Sequence, residues 1–289
     1  TQDGYTTLVN RYDLEHAVPL RKKPHFREVE RYWVNEPFAF VVIFHSEKEN
    51  EKKYYLVEPH LNEIERDLKE FLSRKLRMAI KYSDEDISVE GNEADRRQVI
   101  ERETERLMRR YDLRDMGGES KVDKLMRRAG LKEQKGPRGP PEGIEARPES
   151  AVLEDDPETL TEYQVEKILY ELKRDFIGYS KIDGIKHDIN VEDVSCDGTN
   201  VPVFVYHREY RDLKTNIAFD RESLDTFIFR TAQRAGKQLT VSNPLVDASL
   251  PNGSRVQMTL GGDISTRGSN FTIRKFADIP FTPVDLVRW

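Results

Sequence analysis

Apolar and polar residues alternate along Val256, Met258 and Leu260 against Arg255, Gln257 and Thr259, and again along Phe271 and Ile273 against Thr272 and Arg274. Period two predicts a half-buried strand in each place. Pro251-Asn252-Gly253 ahead of the first strand is turn chemistry, because Pro presets φ and Gly supplies φ > 0. Gly261, Gly262 and Gly268 punctuate the connection between the two. Paired as a hairpin with both apolar sets inward, the strands bring Arg255 and Arg274 onto one polar face. Two guanidiniums converging on a rigid sheet form a candidate oxyanion or phosphate clamp. Arginine is also ordinary on the wet face of an antiparallel sheet, so pattern alone leaves both readings open.

Further upstream, Phe38 to Phe44 is a β-rich run, His45 to Lys53 a charged connection and Tyr54 to Glu58 a second strand, which together read as a hairpin ended by Pro59. Asn62 with Glu65 has capping-box spacing, and Leu61, Ile64, Leu68, Phe71, Leu72, Leu76 and Ile80 follow at helical intervals. A strand pair backed by an amphipathic helix makes a small α+β unit. Residues 1–35 are polar, with a basic cluster at Arg21-Lys22-Lys23, and read as a lead-in arm with a short helix. Residues 84–130 read as charged helices with narrow apolar stripes at Val99, Leu107, Met108 and Tyr111, and at Val122, Leu125, Met126 and Leu131.

Lys135 to Pro157 is dense in Pro and Gly, and its few apolar residues cannot offset the entropy of ordering; it reads as a linker or insertion. Beyond it, Thr161 and Gln164 open a helix carrying Val165, Ile168, Leu169, Leu172 and Phe176 on one face, with Gly178 expected to end it in the left-handed region. Strands follow at Ile189 to Ser195 and Val201 to His207 around an Asp197-Gly198 turn, and at Ile217 to Phe219. Asp220 caps a helix with Leu224, Phe227, Ile228, Thr231 and Ala235 inward. The fold class is therefore α+β: an antiparallel sheet with flanking helices in the C-terminal part, preceded by a small α+β and helical N-terminal region. The expected division is 1–134, a flexible 135–158, and 159–289.

At 289 residues the length allows about two domains. Hydrophobic content of 37% against 35% charged residues predicts modest cores under solvated helices. A net charge of −6 from 47 basic and 53 acidic side chains gives no general mandate for nucleic acid. A single cysteine, Cys196, excludes an internal disulfide framework and a Cys-rich zinc site, and points to a reducing, cytoplasmic location. No run approaches the ~18 apolar residues of a membrane span. The chain opens on Thr1 and stops at Trp289, and is expected to be a segment of a longer one.

The wording of Val241 to Phe276 adds to this reading. Pro244, Asp247, Leu250-Pro251, Gly253-Ser254-Arg255-Val256, Gly268 and Phe271-Thr272-Ile273-Arg274-Lys275-Phe276 resemble the N-terminal domain of the ATPases that drive type II secretion and type IV pilus assembly, in the archaeal style that includes the archaellum motors. Glu36 to Val41 with Tyr55 to Leu61 extends the resemblance, as do Ile177-Gly178-Tyr179, Asp188, Glu192-Asp193 and Asp197-Gly198. It covers Pro37 to Leu76 and most of Leu160 to Trp289.

The resemblance implies a homo-hexamer in which Arg255 and Arg274 lean onto ATP phosphates in a cleft shared with a RecA-like ATPase domain of the same chain. That domain is expected just after Trp289 and would supply the Mg²⁺ site; Phe281 to Leu286 would be the connection. Arg267 and Lys275 are secondary phosphate candidates, the first in a loop and the second expected to be solvated. A polytopic inner-membrane platform protein is the implied partner, with the protein cytoplasmic and peripheral to that membrane. No Gly-x-x-x-x-Gly-Lys-Ser/Thr motif occurs, so no catalytic residue is assigned within this segment and it is expected not to hydrolyse ATP alone. The tetracysteine zinc module of bacterial relatives is missing as well. The alternative is a non-catalytic, protein-binding scaffold or adaptor of the same fold. A third constellation, His187, Asp188, Glu192, Asp193 and His207, has metal-binding residue types but no ligand spacing, and no metal is assigned. Ser254 is read as part of the turn, since no Gly-x-Ser-x-Gly elbow surrounds it.

Overall fold

The computed structural model describes residues 9, 11–81, 93–111, 113, 162–262, 265 and 267–276. The proposed linker at 135–158, the cap residue Thr161, the apolar stripe beginning at Val122 and the connection at 281–286 lie outside them. The chain divides into two compact units, one drawn from Thr1–His16, Glu36–Phe38 and Glu58–Gly178, the other from Ala17–Asn35, Ala39–Val57 and Tyr179–Trp289.

The first unit is helical among the described residues. α1 (Arg11–Ala17) precedes α2 (Glu63–Lys81), α3 (Glu93–Arg110) and α4 (Glu162–Phe176). The capping box of α2 forms as its spacing predicts: the Glu65 amide donates to Asn62 Oδ1 at 2.8 Å and the Asn62 amide donates to Glu65 Oε2 at 2.9 Å. Leu72, Leu76, Ile100, Leu107, Met108, Val165, Ile168, Leu169 and Leu172 form the core between α2, α3 and α4. Charge pairs flank it, including Lys69 with Glu171 at 2.8 Å and Arg174 with Glu58 at 2.7 Å. Gly178 does not take the left-handed conformation expected of it. The Ile177 and Gly178 amides both donate to the Lys173 carbonyl, and positive φ comes two residues later, at Ser180 (51°).

The second unit is built on one sheet. Its strands are β1 (Phe26–Asn35), β2 (Ala39–Ser46), β3 (Glu51–Val57), β4 (Val191–Cys196), β5 (Pro202–His207), β6 (Arg211–Ala218), β7 (Leu245–Ser249), β8 (Arg255–Thr259) and β9 (Asn270–Arg274). They lie in the order β1-β2-β3-β6-β5-β4-β9-β8-β7. Every neighbouring pair is antiparallel except β3 and β6. That parallel seam consists of two register pairs, Lys53 with Lys214 and Tyr54 with Thr215. Beyond them the Asn216 side chain continues the ladder, accepting from the Leu56 amide and donating to the Leu56 carbonyl, both at 2.9 Å. β1 occupies a stretch expected to be an arm, and β7 was not anticipated.

One face of the sheet carries the core. Val41, Ile43, Tyr54, Leu56, Leu213, Val203, Val205, Val194, Cys196, Phe271, Ile273, Val256, Met258, Val246 and Ala248 all project to it. The helices α5 (Asp183–His187) and α6 (Arg221–Arg234) cover that face through Ile185, Leu224, Phe227, Ile228 and Ala232. Gly184 of α5 sits where a Cβ would meet Leu56 Cδ1 at 2.7 Å, so this helix approaches the sheet closely. The fold is thus α+β with helices on the apolar face, and no helix among the described residues is long and apolar enough to cross a membrane.

Candidate functional site

The opposite face over β7, β8, β9 and β4 is polar and exposed, and it holds the predicted arginines. Register places Arg255 directly opposite Arg274, with Gln257 opposite Thr272 on the same face. Their side chains are largely exposed, 69% for Arg255 and 77% for Arg274. The strand alternation causes this: Val256 and Ile273, next along each strand, are buried in the core.

Both arginines are fixed by what precedes β8 and follows β9. The β7–β8 turn closes with the Leu250 amide donating to the Ser254 carbonyl at 2.8 Å, and Gly253 takes φ 83° within it. Ser254 is buried, and its Oγ accepts from the Phe276 amide at 3.1 Å. The Phe276 ring then lies over Gly253, where a Cβ would meet Cγ at 3.1 Å. The turn before Arg255 is thereby clasped to the residues after Arg274, which accounts for Ser254 as turn chemistry.

Like charges directly opposite in a sheet repel, and carboxylates on the two strands that flank β8 and β9 offset this. Asp247 of β7 accepts from Arg255 twice, Nε to Oδ1 and Nη2 to Oδ2, both at 3.1 Å, and from Gln257 Nε2 at 3.2 Å. Those donors hold the Asp247 carboxyl below its ordinary value, Arg255 first, and Asp247 raises the Arg255 guanidinium in return. Asp193 of β4 accepts from Arg274 Nε at 3.1 Å. Asp247, Gln257 and Thr272 are not among the sequence-based site candidates, and Asp193 is there only as a member of the metal constellation. Their parity with Arg255 and Arg274 was readable, but which strands neighbour one another was not.

The secondary candidates fall elsewhere. Arg267 is exposed in the glycine-rich connection, where its carbonyl accepts from the Thr199 amide at 3.1 Å. Lys275, expected to be solvated, is half-buried and directs its ammonium to the carbonyls of Ile185, at 3.3 Å, and Asp188. The carbonyl oxygens that turn the chain into β4 lie within its reach, which draws the ammonium inward.

The possible metal constellation is dispersed among other roles. Asp188 is buried and accepts from the hydroxyls of Tyr32, at 2.8 Å, and Tyr54, at 2.9 Å. His207 is buried beside Tyr32, its Nε2 3.1 Å from that hydroxyl, while Nδ1 accepts from the Glu209 and Tyr210 amides. Burial lowers the His207 imidazole, and burial followed by the Asp188 charge raises the Tyr32 phenol. Glu192 pairs with Arg208, and His187 lies 3.8 Å from Asp183. Among the described residues, no group of three or more His, Cys, Asp and Glu is placed to hold a metal.

Residues 3–60 match the PilB3-like N-terminal family. That span takes in β1, β2 and β3 but not the arginine pair. Two proteins of Methanocaldococcus jannaschii are similar over longer stretches. The uncharacterized protein MJ1288 is 53% identical over 108 residues, 37% of this chain and 43% of that protein. The uncharacterized protein MJ0900 is 36% identical over 131 residues, 45% of this chain and 24% of that protein. The chain thus spans less than half the length of these relatives. Among solved structures, the VirB11 ATPase from the Brucella suis type IV secretion system, in complex with sulphate, matches with a TM-score of 0.30 and 22% identity. The match covers 35% of this chain and 30% of that one. A likeness of that extent transfers no mechanism.

Proposed function

We propose that this chain is the N-terminal assembly and regulatory region of a hexameric secretion ATPase of the type II secretion and type IV pilus class, including archaellum-like motors. The PilB3-like match at 3–60 supports the family reading. The observation that carries the site is the direct opposition of two exposed guanidiniums, Arg255 and Arg274, on a clasped pair of strands. With Gln257 and Thr272 beside them, they form a donor surface suited to a polyphosphate.

In this reading ATP binds between that surface and a C-terminal ATPase domain of the same protein, which also supplies the Mg²⁺ site. The phosphoryl group in transfer carries charge spread over its oxygens, and preorganised guanidiniums stabilise it without reorganising. Loss of the terminal phosphate removes their anchor and allows rigid-body movement of the domains, which a polytopic membrane platform protein receives on the cytoplasmic side. Replacing Arg255 or Arg274 by Ala in the full-length gene product is expected to lower ATP turnover roughly ten- to thousandfold while leaving the unfolding midpoint unchanged. Wild-type turnover in both variants overturns the proposal.

A second reading, a scaffold or adaptor that binds only protein, is favoured by one observation: each guanidinium already has a carboxylate partner. The reading frame beyond Trp289 separates the two, since a phosphate-cradling Gly-x-x-x-x-Gly-Lys-Ser/Thr motif there supports the ATPase.

A further inference from the structure

The charges around the arginine pair follow an order across four adjacent strands: Asp247 on β7, Arg255 on β8, Arg274 on β9 and Asp193 on β4. The two carboxylates present oxygens to the guanidiniums as a phosphate would. Asp247 engages the Nε and Nη2 edge of Arg255 in a bidentate fork, the geometry arginine also uses with phosphate oxygens. Asp193 holds Arg274 by Nε alone, and among the described residues no bond occupies either Nη of Arg274.

From this we infer that Asp247 and Asp193 form a displaceable cage, and that the polyphosphate of a nucleotide binds by exchanging with them. The inference rests on the reading that Arg255 and Arg274 grip phosphate. Exchange is feasible because the pairs are exposed. A solvated ion pair is weak, and a ligand carrying several negative charges outcompetes one carboxylate at each guanidinium. Arg274, held by one bond, engages first; Arg255 follows when Asp247 releases it. Gln257 is released in the same step, because its amide shares Asp247 Oδ2. The carboxylates thus set a threshold: a single small anion gains too little to open both sides of the cage, whereas a triphosphate spans the pair. Asp247 and Asp193 are positioning residues that act through the arginines.

The test titrates the chain with inorganic tripolyphosphate, by calorimetry and by the Nε–H signals of ¹⁵N-labelled arginine. Asp247→Asn, Asp193→Asn and the double variant keep size and remove charge. Glu222→Gln, an exposed carboxylate on α6, makes the same charge change elsewhere. Each Asp→Asn variant is expected to bind roughly two- to tenfold more tightly, with Glu222→Gln unchanged. The Arg255 Nε–H signal should shift on Asp247→Asn before any ligand is added, and Arg255→Ala should cancel the gain in affinity. Unchanged or weaker binding in the Asp→Asn variants, with binding lost in Arg255→Ala, overturns the cage and leaves the phosphate reading standing. Equal tightening by Glu222→Gln also overturns the cage, reducing it to net charge. No binding by either the wild-type chain or the double variant overturns both.

Discussion

Replacing Asn216 by Ala tests whether one side-chain amide carries the seam between β3 and β6. Backbone pairing there stops after Tyr54 and Thr215, and Leu56 gives both its amide and its carbonyl to Asn216 at 2.9 Å. Leu56 is 4% exposed, so both groups lose a partner in a site largely closed to water. An orphaned buried polar group costs roughly 1–3 kcal/mol. Asn216 itself is exposed, so water entering where its side chain stood satisfies part of the loss. A net destabilisation of about 1–3 kcal/mol follows, or a fall of roughly five- to 150-fold in protection of the Leu56 amide. Native-state hydrogen exchange reads that amide directly, without requiring the two units to unfold together. Asn216→Asp keeps an acceptor for the Leu56 amide but sets a carboxylate oxygen against the Leu56 carbonyl. It should resemble Ala when ionised and recover as falling pH protonates the acid and lets it donate, a protonation that burial and the facing carbonyl favour. If Leu56 exchanges in Asn216→Ala as in the wild type, the seam is held by other means and the reasoning fails.

Two further predictions concern the same unit. His207 is neutral in the fold because burial lowers its pKa and two backbone amides donate to Nδ1. The native state therefore binds fewer protons than the unfolded one, and the contribution is full above about pH 6.5 and lost as pH falls below it. The urea midpoint should decline between about pH 7 and pH 5, and His207→Gln should flatten that slope; an equal slope in the variant refutes it. Gly253→Ala places a Cβ at φ 83° and 3.1 Å from Phe276, and should lower stability by about 1–2 kcal/mol in thermal unfolding. A neutral result would mean that the clasp does not hold Phe276 in place.

What could be read from the chain depended on distance along it. The α2 cap and the hairpin of β4 and β5 rest on spacing within a few residues, the shared face of Arg255 and Arg274 on alternation within two strands consecutive along the chain, and each is present. β1 was hidden because its exposed positions mix charged Arg27, Glu28 and Arg31 with apolar Val29 and Trp33, and register shifts between Glu28 and Glu30 and between Trp33 and Asn35 break the alternation. β7 spans five residues after a Ser-Asn-Pro stretch, too short for periodicity to register. The joining of β3 to β6 relies on partners far apart in the chain, which no local pattern encodes. The pairing of Asp247 and Asp193 with the arginines is hidden for a related reason. A carboxylate on one strand gains meaning only once the neighbouring strand is known.

The seam has a further consequence during synthesis. β2 is buried at nearly every position, and β3 has its second neighbour only in β6. A ribosome adding ~5–20 residues per second leaves these strands waiting roughly 8–30 seconds before Lys214 and Thr215 are made. Through that interval an apolar ribbon with an open edge is exposed to other nascent chains. Whatever shields it in the cell, a holdase or its own partial collapse, must let go once β6 emerges.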